Sequence, residues 1–195
     1  MRNPTPTPLK TRAAGLLPTF SFKRFAREER GDVTIEAVIM LPLLFLLFIA
    51  SWVYFDALQQ KNVSQKANFV LGDMLSRETN TIDAGYMDNA HDLLRLLTRA
   101  ETNNQTGLRV SVVSFADDTW TVEWSMARGG RTAQTADAAP ENPGALPVAQ
   151  NGDQLILVET WDNYNPIFNV GLMPQDFTTY SFTRPRYAPQ LAATL

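Results

Sequence analysis

The chain has 195 residues, of which 45% are apolar and 19% charged, with one histidine, no cysteine and a formal net charge of −3. This composition excludes disordered and collagen-like chains, and the lack of cysteine excludes disulfides and thiolate metal sites. The charge is unevenly spread: residues 1–31 carry a net +5, residues 56–195 carry a net −6, and Asp32 and Glu36 supply the remaining −2. The near-neutral average therefore conceals a polarised chain.

The first predicted element is a membrane-spanning helix. Residues 37–55 (AVIMLPLLFLLFIASWVYF) contain no charge, and at about 1.5 Å per residue they reach about 28 Å, close to the thickness of a bilayer's hydrocarbon core. Because positive charge precedes this run, the N-terminus is expected in the cytoplasm and the C-terminal part outside it. We therefore predict a basic leader over residues 1–31, a transmembrane helix over 32–56 and an exported domain over 57–195.

Two other interpretations of the apolar run fit less well. The core helix of a soluble protein seldom stays apolar on every face for five turns. A cleaved signal peptide has an apolar region of about 7 to 15 residues followed by a small-residue cleavage site, and no such site directly follows Tyr54. Trp52 and Tyr54 instead suit the interfacial position that aromatic residues occupy at the end of a membrane helix.

The junction before the apolar run carries a recognisable pattern. A basic leader is followed by Gly31 and Asp32, and Glu36 stands at the fifth position after the glycine. This arrangement resembles the processing site of type IV pilin-like proteins. With Pro42 in the following run IEAVIMLPLLFLLF, it is similar to the TadE/TadF pseudopilins of tight-adherence (Flp) pilus systems.

The resemblance implies a bacterial inner-membrane protein that a prepilin peptidase cuts between Gly31 and Asp32 on the cytoplasmic side. Asp32 would become the new N-terminus and Glu36 the fifth mature residue. The implied partners are the prepilin peptidase, other pilins or pseudopilins, and inner-membrane pilus assembly proteins. The implied role is structural and non-catalytic, in pilus assembly.

The chemistry of Glu36 can be argued without the resemblance. A carboxylate inside a membrane helix costs about 2.5 to 3.5 kcal/mol at the helix centre, and less near the interface, so it normally serves a function. Cleavage after Gly31 would give Asp32 an α-ammonium, and positions i and i+4 share one helical face. That amine can pair with Glu36 of its own chain or of a neighbour. The alternative is that Gly31 is a linker and that Glu36 reaches the interface by itself.

Two helices are predicted in the exported part. Val63, Ala67, Val70 and Met74 recur at helical spacing, which continues the membrane helix as a stalk with an apolar stripe. Thr81 or Asp83 is expected to cap a second helix. Its apolar positions are Met87, Ala90, Leu94 and Leu97, and the cluster 103–107 is expected to end it.

A small antiparallel sheet is expected after the helices. Residues 109–115 and 119–124 alternate with period two around a turn at 116–118, and residues 154–161 and 177–183 are rich in β-branched and aromatic side chains. Residues 128–153 are predicted as an exposed loop whose composition allows mobility. The fold class is therefore α+β, with about four strands whose apolar face packs on the helices, an order similar to that of pilins.

The sequence contains little that indicates catalysis or ligand binding. His91 shares a helical face with Asp88 and Asp92, but three short-range groups make a weak metal motif, and no metal or cofactor is predicted. No nucleophile elbow or phosphate-binding loop occurs, and we interpret Asp117 and Asp118 as turn residues. The acidic exported part argues against nucleic-acid binding. Near the C-terminus, Arg184, Arg186 and Tyr187 either anchor a carboxylate-bearing partner or simply form a solvated strand end.

Two functional hypotheses remain. The first is a TadE/TadF-like pseudopilin that is processed after Gly31 and helps to assemble a pilus. The second is a membrane-anchored periplasmic binding or sensor module whose long helix is only a tether. They differ in whether the leader is removed.

Overall fold

The computed structural model describes residues 30–194, with side chains described from Val33 onward. The predicted leader therefore lies, except for Arg30 and Gly31, outside the described residues. The chain forms two helices and four strands, which confirms the predicted α+β class. The elements are α1 (Arg30–Ser76), α2 (Ala84–Thr98), β1 (Thr106–Ala116), β2 (Thr119–Arg128), β3 (Gln154–Tyr164) and β4 (Gln175–Thr183), with a short 3-10 helix at Pro143–Ala145.

Helix α1 is a single helix of 47 residues that passes through Pro42. Its first part is apolar and exposed: an 18-residue window has a mean hydropathy of 2.6 and none of that window is buried. The helix is long and apolar enough to cross a membrane. A core helix would bury such a surface, and this segment does not.

The later part of α1 packs on the rest of the fold along a different stripe from the predicted one. Ala67 is buried as expected, but Val70 remains 48% exposed, so its assignment to the stripe was wrong. The buried positions nearby are Asn68, Leu71 and Leu75. The sequence pattern failed here because the stripe includes a polar residue that apolar periodicity cannot detect.

Helix α2 follows the prediction at its start and at its core. Asp83 is the N-cap, and its Oδ1 accepts a hydrogen bond from the Tyr86 amide at 2.7 Å. Its apolar stripe, Met87, Ala90 and Leu94, is buried. The helix ends earlier than predicted, at Thr98, because Arg99 adopts a left-handed conformation that closes the last turn.

The four strands form one antiparallel sheet in the order β2-β1-β3-β4. Asp117 and Asp118 connect β1 to β2, with φ values of 51° and 60°. Two consecutive positive φ values are those of a type I′ hairpin turn, which matches the twist of the strands. The interpretation of these two aspartates as turn residues agrees with this geometry.

The core lies between the helices and one face of the sheet. It joins the buried residues of both helices to inward-facing side chains of three strands. The strand residues are Leu108, Val110, Val112, Trp124, Met126, Ile156 and Val158. The prediction that the sheet's apolar face packs on the helices is confirmed.

The opposite face of the sheet is covered by the connection between β2 and β3, within the predicted loop 128–153. Pro140 is buried there, and Leu146 and Ala149 pack on a second apolar cluster that includes Trp120 and Leu157. The backbone of residues 137 and 138 pairs with Val122. Residues 128–153 are otherwise exposed or half-buried, as expected for an exposed loop, but Pro140, Leu146 and Ala149 also cover part of the sheet.

Candidate functional site

The predicted cleavage junction lies at the start of α1. The helix begins at Arg30, so Gly31 and Asp32 belong to its first turn. The first amides of a helix have no intrahelical partner, and a glycine in a helix costs about 1 kcal/mol relative to alanine. Gly31 and the free amides both weaken the helical hydrogen bonding of this first turn. Cleavage itself stays a prediction.

Glu36 lies one turn further along α1 and is exposed. It is the one charged residue between Val33 and Phe55. None of the ion pairs formed among residues 33–194 includes it. Within the part of the chain whose side chains are described, the carboxylate is therefore available to a partner.

The far end of the apolar run is where α1 begins to pack. Side chains are exposed up to Phe48, half-buried at Ile49 and Ala50, and Val53 is 2% exposed. Trp52 and Phe55 remain on the outer side, 61% and 73% exposed. The folded domain thus covers one side of α1 before the apolar run has ended.

Beyond this point α1 carries four polar residues at intervals of four: Asp56, Gln60, Ser64 and Asn68. We call this row the polar seam. Positions four apart lie on one face of a helix. Ser64 and Asn68 have no exposed surface. Apolar periodicity does not reveal the seam, although its spacing of four is a detectable signal in the sequence.

The seam binds to β3 through side-chain hydrogen bonds. Tyr164 donates its hydroxyl to Asp56 Oδ2 at 2.9 Å. Gln60 Nε2 donates to Asp162 Oδ2 at 2.6 Å. These two contacts, both only partly buried, hold residues 56–60 of α1 against the end of β3.

Asn68 makes the most deeply buried of these contacts. Its Nδ2 donates to the Val158 carbonyl at 3.0 Å and to Thr160 Oγ1 at 3.1 Å. Its Oδ1 and the Ser64 hydroxyl are buried without a hydrogen-bond partner among the described residues. The two buried residues of the seam therefore contribute unequally. Asn68 Nδ2 donates hydrogen bonds to β3, whereas the Ser64 hydroxyl forms none among the described residues.

Burial alters the acidity of the groups along the seam. Desolvation raises the pKa of Asp162, an effect that the Gln60 donor opposes and the charge of Asp176 reinforces. Burial, the hydrogen bond to Asp56 and the charge of Asp56 raise the pKa of Tyr164 to about 12. Tyr164 is therefore neutral and a hydrogen-bond donor at physiological pH.

A second polar cluster lies on the outer face of the sheet. Arg109 is 5% exposed; its Nε donates to Glu159 at 2.6 Å and its Nη2 to Glu141 at 2.7 Å. Its guanidinium also lies 5.2 Å from the Trp161 ring. The hydrogen bond from Arg109 lowers the pKa of Glu141. Because Glu141 belongs to the covering loop and Arg109 to β1, the cluster attaches that loop to the sheet.

His91, Asp88 and Asp92, the residues considered for metal binding, each contact a different group of the fold. His91 is 6% exposed, and its Nε2 lies 3.0 Å from the Thr106 carbonyl. Asp88 pairs with Arg128 and Asp92 with Arg95. The residues that the structure describes contain no group of three or more ligand-type side chains that could hold a metal.

The C-terminal arginines bind carboxylates of their own chain. Arg184 pairs with Asp153 at 2.8 Å and Arg186 with Asp73 at 3.4 Å. The Arg186 amide also donates to the Ser76 carbonyl at 2.8 Å. These contacts favour the interpretation of this segment as a strand end tied back to α1.

Comparisons of the chain with protein-family models, curated proteins and solved structures found no match. The features that bear on function are the junction, the exposed apolar part of α1 and the fold that its later part joins.

Proposed function

We propose that this chain is a TadE/TadF-like pseudopilin that helps to assemble a tight-adherence (Flp) type IV pilus, with a structural and non-catalytic role. One observation carries the proposal: α1 is continuous from Arg30 to Ser76, unburied along its apolar part and packed on a four-stranded sheet along its later part. The apolar part of such a helix can cross a membrane, and its later part belongs to a folded domain.

The location of Glu36 supports an assembly role. It is a lone carboxylate at the beginning of an otherwise uncharged run, and it has no ion-pair partner among residues 33–194. A charge kept at such a site is expensive unless something neutralises it. The amine created by cleavage after Gly31 is the partner we propose, either in the same chain or in a parallel neighbour.

The proposed topology follows from the charge pattern. The basic leader keeps the N-terminus in the cytoplasm, where the prepilin peptidase acts, and the domain lies in the periplasm of a bacterial cell. The partners are then the peptidase, other pilins or pseudopilins, and inner-membrane assembly proteins. The side chains of His91, Arg109 and Glu159 bond within the fold, which favours a structural role over a catalytic one.

The deciding experiment measures the mass and N-terminal sequence of the membrane-bound chain, with and without a prepilin peptidase. We expect a mature chain of 164 residues that begins at Asp32. Gly31→Trp should block processing, because a bulky side chain cannot occupy the position where glycine allows an extended backbone. Gly15→Trp, a matched change at another glycine of the leader, should leave processing intact.

An intact leader in the presence of the peptidase would contradict the proposal and favour the membrane-anchored binding or sensor module. Processing that proceeds equally well in Gly31→Trp would place the cleavage at another residue. A pilus yield that is unchanged when the chain is deleted from a piliated cell would contradict the assembly role.

A further inference from the structure

The connection between β3 and β4, residues 165–174, has an unusual surface. It contains no charged residue, and it exposes three large apolar side chains: Ile167 at 73%, Phe168 at 51% and Met173 at 76%. Several large apolar side chains exposed on one short uncharged loop indicate a contact site. The partner can be inferred from where the fold places this loop.

The polar seam shows in which direction β3 runs along α1. Val158 and Thr160 of β3 lie against Asn68, and Tyr164, further along the strand, lies against Asp56. Residue numbers rise along β3 while they fall along α1. The chain that leaves Tyr164 therefore heads toward the apolar run.

The start of the loop is held at the height of the apolar run. The Tyr164 hydroxyl also donates to the Val53 carbonyl at 3.3 Å, and Val53 belongs to the run 37–55. Tyr164 pairs with Gln175 across the two strands, and its ring stacks on Phe177 at 5.4 Å. Both ends of the loop are therefore fixed beside the last turn of the apolar run.

The length of the apolar run indicates that this last turn lies at the membrane surface. This step rests on the proposed function, in which residues 37–55 insert into a bilayer. The domain begins to cover α1 at Ile49. Residues 37–48 alone reach only about 18 Å at about 1.5 Å per residue, short of the hydrocarbon thickness of about 30 Å. The hydrocarbon region of the bilayer must then extend past Ile49 toward Phe55. At that level Tyr164 of the domain lies beside the helix.

We propose that residues 165–174 form a second membrane contact, with Ile167, Phe168 and Met173 inserted among the headgroups and upper acyl chains of the outer leaflet of the inner membrane. Apolar side chains gain by leaving water there, and the loop carries no charge that would oppose entry. Trp52, 61% exposed at this level of α1, suits the interfacial position where aromatic rings are favoured. The domain is thereby held at a fixed height and rotation on the membrane.

Single-cysteine variants test this contact directly, since the chain has no native cysteine. Ile167→Cys and Met173→Cys would carry an environment-sensitive fluorophore, with the full chain in vesicles of phosphatidylethanolamine and phosphatidylglycerol. Val148→Cys is the matched control: Val148 is apolar and 100% exposed, and it lies in the connection that leads into β3 at the opposite end from Tyr164. Phe45→Cys reports insertion of the apolar run. Quenching is measured with aqueous iodide and with lipids that carry a quencher just below the headgroup.

We expect iodide quenching of the loop labels about threefold or more below that of the Val148 label, and strong quenching by the lipids, as for an interfacially buried side chain. Loop labels as accessible to iodide as the Val148 label, with the Phe45 label protected, would overturn the proposal while leaving membrane insertion intact. A Phe45 label open to iodide would refute insertion and this proposal together.

Protection of the loop labels without lipid quenching, lost when the protein is diluted into more lipid, would replace the membrane with a second copy of the chain.

Discussion

The two parts of α1 belong to one helix but differ in how much of their surface is buried. Residues 33–48 are apolar on every side and exposed, apart from the lone charge of Glu36. From Val53 to Leu75 only one side is buried, and that side mixes apolar residues with the polar seam. Composition alone accounts for the first part, whereas the second depends on which residue faces which partner.

This difference predicts which single substitutions should lower the stability of the domain. If the first part inserts into a bilayer as proposed, many of its apolar residues should be interchangeable, because lipid is a solvent without fixed contacts. In the second part each buried side chain meets particular neighbours at close-packed density, so the loss of one leaves a cavity or an unpaired polar group. Four predictions test this contrast.

The largest expected effect comes from the same substitution in the two parts. Leu71→Ala removes a side chain with no exposed surface from the core and should lower the free energy of unfolding by about 2 to 5 kcal/mol. Leu44→Ala, at a residue that is 64% exposed, should leave the unfolding of the domain unchanged. Urea unfolding of the full chain in detergent micelles, followed by near-ultraviolet circular dichroism, measures both. Equal losses in the two variants would refute the contrast.

The second-largest expected loss of stability comes from a substitution in the polar seam. Asn68→Ala leaves the Val158 carbonyl and Thr160 without their donor and should cost about 1 to 3 kcal/mol. Ser64→Ala is the matched control, because the Ser64 hydroxyl is equally buried but unpartnered among the described residues; its effect should stay within about 0.5 kcal/mol or be stabilising. The same unfolding assay compares them, and a larger loss in Ser64→Ala would show that the seam is wrongly described.

In the first part of α1, Glu36 is the exception to interchangeability. Glu36→Ala should leave processing after Gly31 intact and reduce the recovery of sheared pili by about tenfold, as expected if one charge pair worth about 1.4 kcal/mol is lost. Glu36→Asp, which keeps the charge, should retain most of the yield. Normal piliation in Glu36→Ala cells would eliminate the proposed charge pairing.

The smallest effect concerns pH, and two carboxyls should respond in opposite directions. Burial, opposed by the Gln60 hydrogen bond, leaves the pKa of Asp162 raised above 3.8, so its contribution to stability is present below 3.8 and is lost as the pH rises through its folded pKa. Asp162→Asn should therefore gain stability relative to the parent between acid and neutral pH. The relevant measurement is the free energy of unfolding at a series of pH values.

Glu141 supplies the opposite case. Arg109 lowers the pKa of Glu141 below 4.5, so its contribution is present above 4.5 and is lost as the pH falls through its folded pKa. Glu141→Gln should lose stability at neutral pH and approach the parent in acid. Because this carboxylate is 61% exposed, the change should stay below about 1 kcal/mol. Parallel pH profiles for the two variants would contradict both assignments.

Elements with a strong local signal were predicted correctly from the sequence. The uncharged run, the Asp83 cap and the hairpin around Asp117 depend on residues close together in the chain, so local pattern was sufficient. Details that depend on a particular distant contact were not predicted. Apolar periodicity assigns Val70 to the buried stripe without reference to β3, and nothing local indicates that Glu141 of the exposed loop meets Arg109.

The residues of the candidate site likewise include some that the sequence predicts and others that only the structure reveals. Gly31, Asp32 and Glu36 form the predicted processing site, and a site of that kind depends only on the order of residues along the chain. The polar seam and the 165–174 loop were missed, since their importance arises only when β3 runs down α1 and brings Tyr164 to Asp56.

Hydropathy and charge act through composition and order, so the sequence was sufficient to predict an apolar helix able to span a membrane, one carboxylate near its start and an α+β domain after it. The buried side of the later part of α1, and the loop that lies beside the end of the apolar run, follow from tertiary contacts. Those features depend on contacts between residues about one hundred positions apart, such as Asn68 with Val158 and Asp56 with Tyr164, which no local pattern encodes.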